Sequence, residues 1–420
     1  MDINYTKKHL DALNTIKRKL RGRSLSYKEI YNLMDEISSG RLSDVLTAYF
    51  VASGFRDGFS ADELYYLTKA MVETGEQLHF KGIVADKHSI GGLSGTRATM
   101  IVVPIVVAAG FIMPKTSSRA ITSPAGTADV METIAKVNFT PPQIEKIIHD
   151  VGGCIVWGGH LGIAPADDIL IRVEEPLSFE SFDKIIVSIM AKKVAVGTNH
   201  LIIDIPVGRT MKVKYEKDAE QVGAKFKAVA KRFGIDIRID INHTSQPAGN
   251  GVGPYLEAID VMQVLEQHKH RPKDLEERSL RLAGMLLDLC YKSKSIKKEG
   301  YEDAKSILQS GKALAKFREI LHAQHGNPDI ISEKMVNKGY KKEIKATQSG
   351  TIKSINNFNV SAISKILGAP KDIYAGLYML KRKNDTVQAN EPLLYCYSSS
   401  EAKLKEAIDT LPFFPIFSIS

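Results

Sequence analysis

Residues 86 to 92 read Asp86-Lys87-His88-Ser89-Ile90-Gly91-Gly92. A cation, a titratable ring and a hydroxyl stand side by side, and then the side chains disappear. The apolar run Gly82 to Ala85 precedes them, so they fall at the end of a predicted strand. This set suits an oxyanion, phosphate above all. A phosphate dianion wants a cation, hydroxyl donors and inward-facing backbone amides. Glycines let the backbone come close because no Cβ intervenes, and a helix predicted to begin near Thr99 would add its free amides and positive dipole end. Taken alone, the stretch would read as a surface turn. A second stretch changes that weighing. In residues 116 to 129 five hydroxyls surround Arg119, and Gly126-Thr127 then opens a predicted helix with Asp129 and Glu132 in its first turns. A third group is Arg172, Ser188 and Lys192. Ser188 and Lys192 are four apart and share one helix face, while Arg172 is predicted on a turn before that helix. By spacing alone, Lys192 and Lys193 would read as solvated helix charges.

Three kinds of segment must position these residues. Residues 1 to about 75 read as helices. Ser26 to Glu29 and Ser60 to Glu63 both fit the capping box, in which a serine and a glutamate three positions later satisfy free helix-start amides. Gly40, Gly54, Gly58 and Gly75 are expected near helix ends. From about residue 80, short apolar runs alternate with longer helical ones as far as Asn242, which argues for an α/β sheet, mostly parallel, with helices on both faces. Ligands gather at the carboxyl ends of such strands, where both hydroxyl-rich stretches fall. Residues 255 to about 325 are helical again. A charged stretch, residues 333 to 345, follows, and beyond about 345 the sequence turns β-rich. Asn384 and Asn390 are expected in left-handed turns there.

The chain has 420 residues, a net charge of +9, 44% hydrophobic and 25% charged residues. That length predicts two or three domains. The positive balance suits anionic substrates. Lys7, Lys8, Lys17, Arg18, Lys19, Arg21 and Arg23 crowd the start. They read as a basic solvated helix face, since no nucleic-acid motif accompanies them. Cys154, Cys290 and Cys396 are scattered in apolar runs, with no disulfide framework or metal spacing, which fits a reducing cytoplasm. No apolar signal core is read at the N-terminus. The longest apolar run, Met100 to Pro114, is shorter than the roughly 18–20 residues of a membrane span and contains Pro104. Neither a nucleic-acid nor a membrane partner is expected.

The motifs at 86–92, 115–132, 152–168 and 188–197, taken together and in this order, resemble the thymidine and pyrimidine-nucleoside phosphorylase family over nearly the whole chain. Their spelling is closest to the branch that includes AMP phosphorylases (type 2 thymidine phosphorylases). Ser117, Arg119, Gly126, Thr127, Asp129 and Glu132 spell its S-x-R…G-T-x-D-x-x-E pattern. The resemblance implies an α/β fold with a helical domain, a mostly parallel mixed sheet flanked by helices, and a C-terminal α+β domain. The expected boundaries are 1–75 joined by about 160–195 for the helical domain, 76–159 and 196–335 for the α/β phosphate-binding domain, and 345–420 for the last. It also implies a homodimer formed through the helical part and an active site in the cleft between helical and α/β domains.

The implied reaction is phosphorolysis of a nucleoside to free base and (deoxy)ribose 1-phosphate. No cofactor or metal is implied, because phosphate is the nucleophile. Lys87, Ser89, Gly92, Thr99, Ser117, Ser118, Arg119 and Thr127 would hold phosphate. Arg172, Ser188 and Lys192, with Thr122 and Ser123, would hold base and sugar. His88, Glu180 and Arg172 are the implied catalytic groups, and Lys212 would meet a 5′-phosphate.

Departures from the thymidine-type pattern follow the AMP branch. Ser123-Pro124 stands for a His-Thr pair, and residues 92–99 lack a Gly-Asp and carry one extra residue. Glu180 stands where that branch has an aspartate as proton donor. The branch also begins with an extra module of ~80 residues, whereas this sequence starts at its first helices, which counts toward nucleosides. The leading reading is therefore a pyrimidine-nucleoside phosphorylase, with a nucleoside 5′-monophosphate phosphorylase as the alternative. A phosphoribosyltransferase would be expected to show a Gly-Thr-Gly-Gly-Asp loop, which the sequence does not contain. A non-catalytic scaffold would not need the intact cation and hydroxyl set.

Overall fold

The computed structural model describes residues 6–120, 123–174 and 181–420, without the side chains of 55–57 and 160. The expected site residues Thr122 and Glu180 lie outside the described residues. In chain order the elements are α1 (Lys7–Leu20), α2 (Tyr27–Ser38), α3 (Asp44–Asp57), α4 (Ala61–Glu73), β1 (Ala85–Ser89), α5 (Thr99–Ala108), β2 (Met113–Ser117), α6 (Thr127–Glu132), α7 (Pro141–Val151) and β3 (Gly153–Trp157). They continue with α8 (Pro165–Glu174), α9 (Phe182–Ala195), β4 (His200–Val207), α10 (Glu216–Arg232), β5 (Asp236–His243), β6 (Gly251–Val252), α11 (Pro254–Leu265), α12 (Lys273–Lys294), α13 (Gly300–Gln309) and α14 (Lys312–Ala323). The last part holds β7 (Tyr340–Lys345), β8 (Gly350–Ile355), α15 (Asn357–Leu367), β9 (Gly376–Met379), β10 (Thr386–Val387), β11 (Pro392–Ser398), α16 (Glu401–Thr410) and β12 (Phe417–Ile419).

The chain forms two compact units. One takes residues up to 84, then 158–201 and 220–237; the other takes 85–157, 202–219 and 238–420. In the first, α1 to α4 pack with α8 and α9 around Ile30, Leu33, Leu64, Leu67, Ile186 and Met190, all buried. Both capping boxes are formed: Ser26 with Glu29 starts α2, and Ser60 with Glu63 starts α4. Glu63 does more than cap. Its carboxylate also takes the Lys19 ammonium at 3.0 Å and the Leu25 amide at 3.1 Å. Lys19 is therefore buried and paired, not part of a solvated basic face. Gly54 lies in the last turn of α3, near the helix end as expected, where the Phe59 ring takes the space a Cβ would need, 2.3 Å away.

In the second unit β2 and β3 run parallel, with Ser117 opposite Trp157 at their carboxyl ends, and β1, β4 and β5 form a sheet in the order β1-β4-β5. The apolar run after Thr99 is the buried helix α5 with Pro104 inside it. The C-terminal residues form two antiparallel sheets, β10-β8-β12 and β6-β9-β11-β7. They close with α15 and α16 over a core that includes Ile352, Val360, Leu377 and Leu394. β6 comes from the α/β part, and it joins this sheet through Gly251 and Val252. The charged stretch before residue 345 contains a strand, β7, which the charge had masked. It is an edge strand with exposed Lys341 and Lys342, and lysines on an edge deter pairing with another chain. Asn384 and Asn390 do adopt left-handed turns, at φ 75° and 67°.

Candidate active site

In the α/β unit, strand alternation puts Lys87 and Ser89 on one face of β1 and His88 on the other. Lys87 is buried, and its Nζ is 3.5 Å from Asp204 Oδ2 on β4. Asp204 also accepts from Arg278 Nη2 at 2.7 Å and Asn242 Nδ2 at 2.8 Å. Burial alone would raise the Asp204 pKa, but Arg278 and Lys87 outweigh it and hold the carboxyl at about 2. Burial lowers the Lys87 pKa and Asp204 opposes that shift. An arriving anion would favour the charged ammonium further.

After β1 the chain turns through Gly91 and Gly92, at φ 86° and 89°. A Cβ on Gly92 would come within 2.9 Å of Lys212 Cγ and 3.0 Å of its backbone nitrogen. Glycine here meets both the left-handed backbone and the close approach of Lys212. The structure thus brings Lys212 onto the glycine turn. The turn is held from the C-terminal part of the same unit. Buried Asn357, at the start of α15, donates to the Gly92 carbonyl at 2.7 Å and accepts from the Ser94 amide at 3.1 Å, and Ser94 Oγ lies 2.5 Å from Ser361 Oγ. Asn357→Ala leaves two backbone groups of this turn without partners. The expected cost is about 1–3 kcal/mol, read as a lower thermal midpoint.

The second hydroxyl-rich loop closes on itself. A Cβ on Gly126 would meet the Ser118 carbonyl at 2.5 Å, and Asp129 Oδ2 accepts from the Ala120 and Gly126 amides at 2.7 and 2.8 Å. Arg119 gives its donors to Asp129 at 3.2 Å and to both oxygens of Glu132 at 2.5 and 2.8 Å. It also lies 4.7 Å over the Trp157 ring. Its guanidinium fastens the loop from within, a use its place in the motif did not reveal. Ser118 is exposed, and Ser123 donates to the Ala125 carbonyl at 2.9 Å. Ser117, at the end of β2, is buried with no hydrogen-bond partner for its hydroxyl among the described residues. Thr99 and Thr127 are the first residues of α5 and α6. Arg97 was not singled out in the sequence. It is buried and reaches Thr127 Oγ1 at 3.2 Å.

In the helical unit, Ser188 and Lys192 do share a face of α9. Both reach Asp167 Oδ2 on α8, each at 2.8 Å. Burial would lower the Lys192 pKa, but Asp167 and Asp168 outweigh it and hold the ammonium above its ordinary value. Asp168 is pushed up to about 6 by burial and by Asp167, against the pull of Lys192. The sequence offered Pro165-Ala166-Asp167-Asp168 as a motif with no role attached. Only the packing of α8 showed what the aspartates hold. Arg172 corrects an expectation: it sits in the last turn of α8, not on a turn outside a helix. Its guanidinium pairs with Asp44 at 2.7 Å on the exposed surface.

Residues 81–314 match the family model described as "Glycosyl transferase family, a/b domain". The chain belongs to this glycosyl transferase family. Residues 13–75 match the same family's helical bundle domain, and residues 351–412 match the pyrimidine nucleoside phosphorylase C-terminal domain. AMP phosphorylase 1 of Archaeoglobus fulgidus is 40% identical over 95% of this chain and 78% of its own length. A protein of Legionella pneumophila (strain Corby) named "Putative thymidine phosphorylase" is 41% identical over 96% of this chain and 77% of its own. The AMP phosphorylase of Thermofilum pendens is 42% identical over 94% and 76%. Among solved structures, the anthranilate phosphoribosyltransferase of Thermus thermophilus shares the fold, with a TM-score of 0.61 and 17% identity over 74% of this chain and 99% of its own. The protein is an enzyme of the pentosyltransferase class, and its family supports nucleoside phosphorylase activity. Among the described residues no helix is long and apolar enough to cross a membrane.

Proposed function

We propose that the protein phosphorolyses pyrimidine nucleosides such as thymidine, releasing the base and leaving (deoxy)ribose 1-phosphate. The observation that carries this reading is the buried Lys87, held by Asp204 beside the glycine turn. In this reading a phosphate oxygen bonds to the anomeric carbon while the C–N bond breaks and its electrons leave with the base. Lys87, Ser89, Thr99, Ser117 and Thr127 position the phosphate, and positioning plus charge stabilisation lowers the barrier. Lys192 and Ser188 meet the base, with Arg172 as their proposed companion. Negative charge grows there as the bond breaks, so cationic donors favour the transition state over the ground state. His88 faces the sugar and Glu180 supplies the proton. Phosphate is a co-substrate, and no further cofactor enters the scheme. Exposed Leu10, Leu20, Val45 and Tyr49 on α1 and α3 support self-association as a dimer. The three free, buried cysteines suit a reducing cytoplasm.

Lys212 on the glycine turn favours a second reading, a nucleoside 5′-monophosphate as substrate. The test is base release from thymidine, uridine, AMP and CMP, with and without inorganic phosphate. Phosphate-dependent release from a nucleoside supports the first reading, and release from nucleotides alone supports the second. Lys212→Ala is expected to raise KM for a nucleotide about tenfold or more, the loss of a charge-assisted contact, and to leave a nucleoside unchanged. Equal effects on both would remove Lys212 from 5′-phosphate recognition.

A further inference from the structure

We infer that Arg97 is the second cation of the phosphate cradle, presenting its Nη2 to the bound phosphate while its other two nitrogens are held by the protein. This rests on the phosphorolysis reading above. Arg97 stands two residues before Thr99, where α5 begins, and is buried. Its Nε donates to Glu257 Oε2 at 2.5 Å, and its Nη1 donates to Thr127 Oγ1 at 3.2 Å. Glu257 is itself fixed, since it is buried on α11 and accepts from the Gly253 amide at 3.0 Å. Nη2 has no hydrogen-bond partner among the described residues. Thr127 uses its oxygen as an acceptor toward Arg97, so its hydroxyl hydrogen remains available to an anion.

Three further observations converge on the same ligand. The hydroxyl of Ser117 is buried and without a partner among the described residues. The charge of Arg97 acts on Lys87: after burial and the neighbouring Arg278, it is among the influences that lower the Lys87 pKa. Two cations in electrostatic reach of each other repel unless an anion joins them. The charge balance points the same way. Lys87 shares Asp204 with Arg278, and Arg97 has Glu257, so the cluster carries one cation more than carboxylates before substrate arrives. Guanidinium also matches phosphate geometrically, presenting N–H donors in a fixed fork, where lysine offers a point charge. The arrangement would let phosphate lie against Lys87, Arg97, Ser117 and Thr127 together.

A purely structural Arg97, tying the start of α5 to α11 through Glu257, would predict different kinetics. The test compares R97Q and R97K with the unmodified enzyme. Phosphate and nucleoside KM are measured separately, together with the thermal shift produced by inorganic phosphate alone. R97Q is expected to raise phosphate KM about 10- to 100-fold, to remove most of the phosphate-induced thermal shift, and to leave nucleoside KM within about twofold. R97K, which keeps the charge and can still pair with Glu257, is expected to recover only part of the loss. A folded R97Q with unchanged phosphate KM and an unchanged phosphate-induced shift overturns the inference. If R97Q does not fold, R97K decides: phosphate KM raised at least about fivefold supports the contact, and a value equal to the unmodified enzyme overturns it. An unmodified enzyme with neither a phosphate-induced shift nor phosphate-dependent base release would instead fail the phosphorolysis reading itself.

Discussion

Lys87→Ala is expected to reduce phosphate-dependent base release about 10²–10³-fold, the scale of losing one preorganised charge at a developing transition state. The loss should fall on phosphate use and leave the fold intact. Asp204 keeps Arg278 and Asn242 as partners when Lys87 is gone, so no buried carboxylate is stranded. The measurement is a phosphate titration of base release alongside a thermal melt. Normal turnover at low phosphate in this variant would remove Lys87 from the reaction and the proposed function with it.

The second large effect concerns Asp204, which touches no proposed substrate atom. Asp204→Asn leaves Lys87 and Arg278 buried beside a neutral amide. Removing one partner from a buried ionic group costs about 3–5 kcal/mol, so unfolding by urea should shift strongly to lower concentrations. The same carboxylate makes stability depend on pH. Its pKa is held at about 2 in the folded protein, against roughly 3.9 when unfolded. A depressed carboxylate stabilises the fold above its unfolded value and loses that contribution as pH falls through the folded one. For such a shift the contribution is about 2–3 kcal/mol at neutral pH. The unmodified enzyme should therefore lose stability between about pH 5 and pH 2, and Asp204→Asn should show a flatter profile over the same range. Parallel profiles would mean that other carboxylates dominate acid unfolding.

Both predictions depend on contacts that join distant parts of the chain, and this separates what could be read from the sequence and what could not. Local signals were legible because their physics is local. The capping boxes at Ser26 and Ser60 use residues three apart. The four-residue spacing of Ser188 and Lys192 places both on one side of a helix whatever surrounds it. Gly91-Gly92 and the asparagine turns at 384 and 390 follow from backbone freedom alone. Local charge misled where burial decided. Lys19 lies in a basic run, yet it is buried against Glu63, 44 residues away. Residues 340–345 were hidden as a strand because an edge strand tolerates lysines that a central strand would exclude.

By itself the sequence determined the succession of helical, α/β and β-rich segments, the strand ends that carry hydroxyls and cations, and the side-chain types able to cradle an oxyanion. Each of these follows from short-range spacing or from the residue's own chemistry. The partners of those side chains were decided only in three dimensions. Arg119 spends its donors on Asp129 and Glu132, whereas Arg97 keeps one nitrogen open beside Thr127. Lys87 depends on Asp204, 117 positions later, Lys212 lies against Gly92, and Asn357 holds the turn from 265 positions away. A charge acts on whatever lies within a few ångströms of it, and that neighbourhood exists only once strands and helices from remote parts of the chain have packed together and excluded the water that would otherwise screen it.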